Sequence, residues 1–199
     1  IFENKAPGFC YTRVGNPTVT AFENRITKLE GGIASIACAS GMAALMNAFL
    51  NILRSGNEIV SSASLYGGTI DLFTDLEAFG ITTRYVENNN WEQIEGAINE
   101  HTRLVFAETI GNPCLDVTDI EKLAEIAHAH ELPLIVDNTT STPYLIQVLK
   151  YGADIVVNSS SKYINGSSNS ISGVLTDGGK FKWKKEKYPG PAYYLKFGP

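Results

Sequence analysis

The sequence predicts an α/β fold with a mostly parallel, seven-stranded sheet and helices on both faces. From residue 33 onward, short apolar runs alternate with longer segments of helical periodicity, which is typical of successive βαβ units. Several of the short runs are rich in Val and Ile, as expected for strands covered on both faces. The expected strands are residues 33–38, 58–62, 82–86, 103–107, 134–137, 154–157 and 171–175.

Three helices have clear signals in the sequence. The first is predicted over residues 17–29, with Asn16 as its N-cap and a proline at its first position. The second, over residues 42–53, is apolar almost all round, so we expect it to lie buried between layers. The third follows Thr118, which can act as its N-cap, and Glu121 can complete a capping box.

The composition is that of an ordinary globular protein. The 199 residues, 44% hydrophobic and 19% charged, suffice for about one domain at about 150 residues each. A net charge of −5 without a basic stripe argues against a nucleic-acid partner. We expect no membrane partner either, because no run approaches about 18 apolar residues and no signal peptide is visible. Three widely spaced cysteines without C-x-x-C spacing favour reduced thiols and a cytoplasmic location.

Polar residues follow several of the predicted strands. Functional groups of a parallel α/β sheet gather in the crevice beyond the carboxyl ends of its strands. Gly41 and Met42 open a helix after the first strand, where free N–H groups and the positive dipole end can hold a phosphate. Tyr66 follows the second strand, and Glu108 and Asn112 follow the fourth. Each signal is weak alone, since a small-residue turn of this kind more often marks only a helix start, and a tyrosine there is more often a core or rim residue than a stacking platform.

The ends of the fifth and sixth strands carry the charged groups. Asp137 continues an apolar strand and, if buried, needs a cationic partner, although a helix N-cap is the ordinary alternative. Thr139 lies on the same side of the chain as Asp137 if the backbone stays extended. Ser159, Ser161 and Lys162 follow the sixth strand, where desolvation favours the neutral, nucleophilic form of the amine.

These groups together are what pyridoxal phosphate (PLP) requires. A lysine can form a Schiff base, a carboxylate can pair with the pyridinium nitrogen, an aromatic ring can stack, and a helix start with hydroxyls can bind the phosphate. Two other chemistries have less support. Residues 159–162 satisfy S-x-x-K, but neither S-D-N nor K-T-G is present, and no G-x-G-x-x-G marks a dinucleotide site. His128 and His130 are two apart on a helix and face different directions, and His101 is isolated, so no metal site is expected.

Six motifs, in order and spacing, resemble the Cys/Met-metabolism PLP-dependent enzymes: YTRVGNPT (11–18), ASGMAAL (39–45), SLYGGT (64–69), ETIGNP (108–113), VDNTTSTP (136–143) and SSSKYINGS (159–167). The fourth motif and TDGGKFKW (176–183) are most similar to the O-acetylhomoserine sulfhydrylase branch. The resemblance implies the large PLP-binding domain of fold type I, the fold of aspartate aminotransferase.

The resemblance also implies residue roles. Lys162 would form the Schiff base and then move the α and γ protons of the substrate. Asp137 would pair with the pyridine nitrogen, and Tyr66 would stack on the ring and assist proton transfer. Thr139 would lie near the other face of the ring, and Asn112 near its 3-oxygen. The implied phosphate ligands are Gly41, Met42, Ser159 and Ser161.

The implied reaction is γ-replacement, in which sulfide or a thiol replaces the acetate of O-acetylhomoserine to give homocysteine or methionine. An elimination lyase of the same family, such as a methionine or cystathionine γ-lyase, is the alternative. Tyr11 and Arg13 match residues that reach the neighbouring subunit's phosphate site. The resemblance therefore implies a homodimer, usually paired into a homotetramer.

The expected organisation is a partial N-terminal arm (1–16), a PLP-binding domain (17–180) and a partial linker (181–199) that forms an unstructured tail. Five lysines at 180–187 are expected to be solvated. Family members are much longer, so we expect a fragment without the C-terminal domain, one that binds the cofactor but turns over poorly. Ser167 stands where the family usually has His, and Ser161 where Thr is commoner, and we expect phosphate binding to survive both changes.

Overall fold

The computed structural model describes residues 8–194, which form a seven-stranded sheet with helices on both faces. The strands are β1 Ala34–Cys38, β2 Glu58–Ser62, β3 Thr82–Val86, β4 Thr102–Glu108, β5 Leu134–Asp137, β6 Ile155–Asn158 and β7 Gly173–Asp177. The α-helices are α1 Pro17–Glu30, α2 Gly41–Ile52, α3 Gly67–Glu77, α4 Trp91–Ala97, α5 Ile120–Ala129, α6 Thr142–Leu145 and α7 Pro189–Tyr194, and Val148–Tyr151 form a 3₁₀ helix.

The strand order is β1-β7-β6-β5-β4-β2-β3. Four neighbouring pairs, from β6 across to β3, are parallel, whereas β7 runs antiparallel to both β1 and β6. The prediction of a mostly parallel sheet is therefore confirmed. Because only β7 is reversed, the carboxyl ends of the other six strands meet at one edge of the sheet.

Alternate residues of the central strands feed two hydrophobic cores, one on each face. Phe106 of β4 points into the core formed with α2 and α3, where it packs against Phe49 and Phe73. Its neighbour Val105 points into the opposite core, formed with α4 and α5. This alternation follows from the two-residue period of a strand and explains why consecutive residues such as Val105 and Phe106 are both apolar.

Of the two predicted N-caps, the one at α1 is confirmed and the one at α5 is not. Asn16 caps α1, accepting the N–H groups of the second and third helical residues. At α5, the predicted cap Thr118 is wrong. Asp119 is the N-cap and accepts the N–H of Lys122 over 3.1 Å. Thr118 instead donates its hydroxyl to the backbone oxygen of Glu108 over 2.7 Å, a long-range contact that the local pattern does not reveal.

Helix α2 lies within one residue of its predicted bounds and packs on β6 and β7. The sequence predicts that α2 lies buried between layers, but one side of the helix is open to solvent, where Leu50 is 39% exposed. No helix within residues 8–194 has both the length and the apolar character needed to cross a bilayer.

The expectation of an unstructured tail is wrong as far as residue 194. Phe181, Trp183 and Tyr188 pack edge to face with one another, with ring centroids 4.7–5.6 Å apart. Tyr188 is almost completely buried, and its hydroxyl lies 3.1 Å from the backbone oxygens of both Arg103 and Glu131. The segment after β7 therefore belongs to the folded body.

Candidate active site

A cleft of about 510 Å³ opens where the carboxyl ends of the strands meet. The starts of α2 and α3 and the loops after β4, β5 and β6 form its walls. The predicted site residues that line it are Gly41, Met42, Tyr66, Asn112, Asp137, Thr139, Ser159, Ser161 and Lys162. Residues for which the sequence indicated no role also line it, among them Leu45, Thr69, Thr140, Tyr163 and Ile171.

The start of α2 lies against the loop that follows β6. Ser40 caps the helix, accepting the N–H of Ala43 over 3.0 Å. A Cβ atom at Gly41 would lie 2.6 Å from the Cβ of Ser159, so only glycine permits this approach. The N–H groups of Gly41 and Met42, which precede the first hydrogen bonds of the helix, thus lie beside a serine-rich loop. This arrangement fits a phosphate group.

Asp137 lies at the end of β5. Its Oδ1 accepts the N–H of Thr139 over 2.8 Å, so it is not the N-cap of the following helix, which begins after Ser141. The pKa of Asp137 is raised, because burial raises it more than the hydrogen bonds of Thr139 and the positive charge of Lys162 lower it. A further positive group placed beside Asp137 would favour its charged form, which suits a pyridinium nitrogen.

The loop carrying Lys162 is held by its own hydrogen bonds. Lys162 donates its N–H to Ser159 O over 3.1 Å and accepts that of Gly166 over 2.8 Å. The hydroxyl of Ser161 accepts the N–H of Ser172 over 2.8 Å and donates to the backbone oxygen of Ser172 over 3.0 Å. The side chain of Lys162 itself stays exposed at the mouth of the cleft, where an incoming molecule can reach it.

The ring of Tyr66 lies across the start of α3. A Cβ at Gly68 would lie 2.5 Å from this ring, so glycine at position 68 makes room for it. The N–H of Tyr66 donates to Glu108 Oε1 over 2.8 Å. Burial raises the pKa of Glu108 to about 8, and the charges of Asp137 and Asp116 act in the same direction. In the sequence Glu108 follows an apolar strand, as Asp137 does, but this position alone does not indicate a role.

Residues 1–191 match the family model described as Cys/Met metabolism PLP-dependent enzyme. The chain belongs to this family. The match confirms the family that the motifs predicted, and PLP is the cofactor of its members. The cleft fits that cofactor: a carboxylate, an amine, an aromatic ring and a helix start with hydroxyls all line one cavity.

Relatives within the family are similar over almost the whole chain. The O-acetyl-L-homoserine sulfhydrylase of Leptospira meyeri is 45% identical over 197 residues, covering 96% of this chain and 45% of that protein. The homocysteine/cysteine synthase of Saccharomyces cerevisiae is 45% identical over 193 residues, covering 95% and 44%. The chain thus spans less than half the length of these curated relatives.

Solved structures of the family share the fold. An O-acetylhomoserine (thiol)-lyase from Campylobacter jejuni, which contains N′-pyridoxyl-lysine-5′-monophosphate, superposes with a TM-score of 0.85 at 36% identity, covering 90% of this chain and 45% of that one. The cystathionine γ-lyase of Lactobacillus plantarum, in complex with L-serine, gives a TM-score of 0.85 at 35% identity, covering 98% and 49%. The predicted fold type I is confirmed.

Two predicted site residues lie outside the cleft of their own chain. Tyr11 and Arg13 precede α1, both are exposed, and the Arg13 guanidinium lies 5.0 Å from the centre of the Tyr11 ring. Neither lines the cleft. Within the described part of the chain, no group of three or more His, Cys, Asp and Glu is placed to hold a metal ion.

Proposed function

We propose that this chain forms the cofactor-binding part of a PLP-dependent transferase that replaces the acetate of O-acetylhomoserine with sulfide or a thiol. The product would be homocysteine or methionine. One observation carries the proposal: Lys162 and Asp137 line a single cleft, in a chain 45% identical to an O-acetyl-L-homoserine sulfhydrylase over 96% of its length. Because the chain spans less than half of that relative, the activity is proposed for the whole protein.

We propose Lys162 as the residue that binds PLP covalently and then moves protons at the α and γ carbons of the substrate. Its exposed position at the cleft mouth supports this role. When bound, PLP supplies an electron sink for negative charge on the substrate carbon beside the amine. Asp137 would hold the ring nitrogen in its protonated form, since a carboxylate stabilises a neighbouring cation.

The remaining cleft residues would bind and orient the cofactor. Tyr66 would stack on the ring, Thr139 would lie near its other face, and Asn112 would lie near its 3-oxygen. The phosphate would sit at the start of α2, where the dipole and free N–H groups favour an anion. The proposed phosphate ligands are Gly41, Met42, Ser159 and Ser161.

We further propose a cytoplasmic homodimer or homotetramer in which Tyr11 and Arg13 serve the neighbouring subunit. Both residues are exposed and lie outside the cleft of their own chain, which supports a role toward another copy. The guanidinium of Arg13 suits a phosphate because it can bind two oxygens at once. The three free cysteines, at positions 10, 38 and 114, support a reducing compartment.

A γ-lyase is the second candidate, supported by the likeness to the cystathionine γ-lyase of Lactobacillus plantarum. Product analysis separates the two. O-acetylhomoserine is incubated with the PLP-loaded protein, with and without sulfide. We expect homocysteine only when sulfide is present. Release of 2-oxobutyrate and ammonia without sulfide would instead identify a lyase, and bound PLP with neither product would identify a cofactor-binding fragment without turnover.

A further inference from the structure

Glu108 is a buried carboxyl group in the cleft to which the proposed reaction assigns no part. It ends β4, is 6% exposed, and accepts the N–H of Tyr66 over 2.8 Å. Tyr66 is the residue directly before α3, and its own side chain makes no capping hydrogen bond there. The carboxyl group of Glu108 therefore joins the end of one strand to the residue that presents the aromatic ring.

Glu108 also lies beside Asp137. The two residues are register partners on the parallel strands β4 and β5, so their side chains leave the same face of the sheet. Burial raises the pKa of both carboxyl groups, and the charge of Asp137 raises the pKa of Glu108 further. Lys162 provides positive charge toward Asp137. Among the residues that the structure describes, no positive group acts on Glu108 in this way: its Oε1 accepts the N–H of Tyr66, and the charges of Asp137 and Asp116 raise its pKa further.

We propose that Glu108 is a positioning residue of the cofactor site: its neutral carboxyl group fixes Tyr66 at the cleft without placing a second negative charge beside Asp137. This inference rests on the proposed function, because Tyr66 and Asp137 are given their cofactor roles there. The raised pKa of Glu108, about 8, agrees with a neutral group at physiological pH. Glutamine reproduces both the acceptor and the neutrality, whereas alanine removes the acceptor.

The first test needs no cofactor. The amide signal of Tyr66 is followed by ¹H–¹⁵N NMR in the 199-residue chain between pH 6.5 and 9.5. We expect this signal to titrate with a midpoint of about 8 in the wild type and to stay constant in Glu108→Gln. In Glu108→Ala we expect faster hydrogen exchange at Tyr66. The exposed Glu121→Gln serves as the control and should behave as the wild type.

The second test measures the PLP dissociation constant of the same variants at pH 7 and pH 9. At pH 7 we expect Glu108→Gln to bind within about twofold of the wild type and Glu108→Ala about tenfold more weakly, the scale of one lost hydrogen bond. At pH 9 the wild type should bind more weakly than Glu108→Gln, since ionised Glu108 repels an anionic cofactor. Melting temperatures of the unloaded variants show whether each is folded.

Several results would overturn the proposal. One is a folded Glu108→Ala that keeps wild-type PLP affinity and wild-type exchange at Tyr66. Another is an identical pH dependence of PLP affinity in the wild type and Glu108→Gln. If the wild type binds no PLP, the proposed function fails instead, and the Tyr66 titration still decides whether a neutral Glu108 holds that residue.

Discussion

Ser159 donates its backbone N–H to the hydroxyl oxygen of Thr139 over 2.7 Å. Thr139 follows β5, and Ser159 begins the loop after β6, so the bond joins the loop of Asp137 to the loop of Lys162. Thr139 in turn donates its own N–H to Asp137. One threonine therefore fixes the distance between the carboxylate proposed for the ring nitrogen and the loop proposed for the phosphate.

Removing this hydroxyl should weaken cofactor binding. Thr139→Val keeps the shape of the side chain but leaves the Ser159 N–H without its acceptor, which costs about 1–3 kcal/mol. We expect PLP affinity to fall at least about tenfold, the equivalent of about 1.4 kcal/mol. Thr139→Ser retains the hydroxyl and is the matched control. Equal PLP affinity in the valine and serine variants, measured by absorbance titration, would show that the bond does not position the loop.

Gly41 and Gly67 offer a matched pair, since each is the first residue of a helix. A Cβ at position 41 would meet Ser159 at 2.6 Å, whereas one at position 67 would meet nothing within 4 Å. We expect Gly41→Ala to lower the free energy of unfolding by about 1–3 kcal/mol through overpacking and to abolish phosphate binding. Gly67→Ala should leave stability unchanged or raise it by up to about 1 kcal/mol. Urea unfolding of both variants tests this, and equal effects would contradict the account.

Much of the fold and of the cleft follows from local rules. The strand positions came from apolar runs, and helix α1 from a capping asparagine followed by a proline. The cleft residues were found because polar groups directly after parallel strands share one edge of the sheet. No local pattern, however, determines which of two adjacent cap residues is used at α5. The hydroxyl of Thr118 donates to the backbone oxygen of Glu108, ten positions away. Asp119 therefore caps the helix in its place.

The fold of the segment after β7 escapes local rules for a different reason. Phe181, Trp183 and Tyr188 show neither helical nor strand periodicity, because they pack as a cluster of rings rather than along one face of an element. The surrounding lysines dominate the composition of the segment and suggest solvent exposure. Most of them are indeed exposed, with the aromatic side chains turned inward between them.

Tyr188 tests whether this segment belongs to the fold. We expect Tyr188→Ala to lower the free energy of unfolding by about 3–5 kcal/mol, because it removes a buried ring and leaves a cavity. Tyr188→Phe keeps the ring but loses the hydroxyl that faces the backbone oxygens of Arg103 and Glu131, so it should cost only about 1 kcal/mol. An alanine variant within about 0.5 kcal/mol of the wild type in urea unfolding would show that the segment is peripheral.

Glu30 gives the chain a built-in pH dependence of stability. It is fully buried at the end of α1, and its Oε1 accepts the side-chain N–H groups of Asn158 and Asn138 over 2.7 and 3.4 Å. Burial raises its pKa above the ordinary value of 4.5, more than these hydrogen bonds lower it. The folded state therefore holds this proton more tightly than the unfolded state. The contribution of protonated Glu30 to the free energy of unfolding is complete below about pH 4.5 and is lost as the pH rises through the raised pKa.

Glu30→Gln should remove that loss, because glutamine imitates the protonated acid. We expect the variant to gain stability over the wild type at pH 8 relative to pH 5, because only the wild type loses a proton from this buried site as the pH rises. The free energy of unfolding in urea at the two pH values provides the measurement, with the exposed Glu121→Gln as control. A wild type and a Glu30→Gln variant with parallel pH profiles would show that Glu30 is already charged when folded.

The covalent attachment of PLP to Lys162 is the central claim, and peptide mass spectrometry tests it most directly. The chain is incubated with PLP, reduced with borohydride and digested, and the pyridoxyl group is located. We predict the group on Lys162 in the wild type and in the surface variant Lys122→Ala, and no stoichiometric label in Lys162→Ala. A pyridoxyl group on another lysine at full occupancy, retained when Lys162 is replaced, would contradict the account.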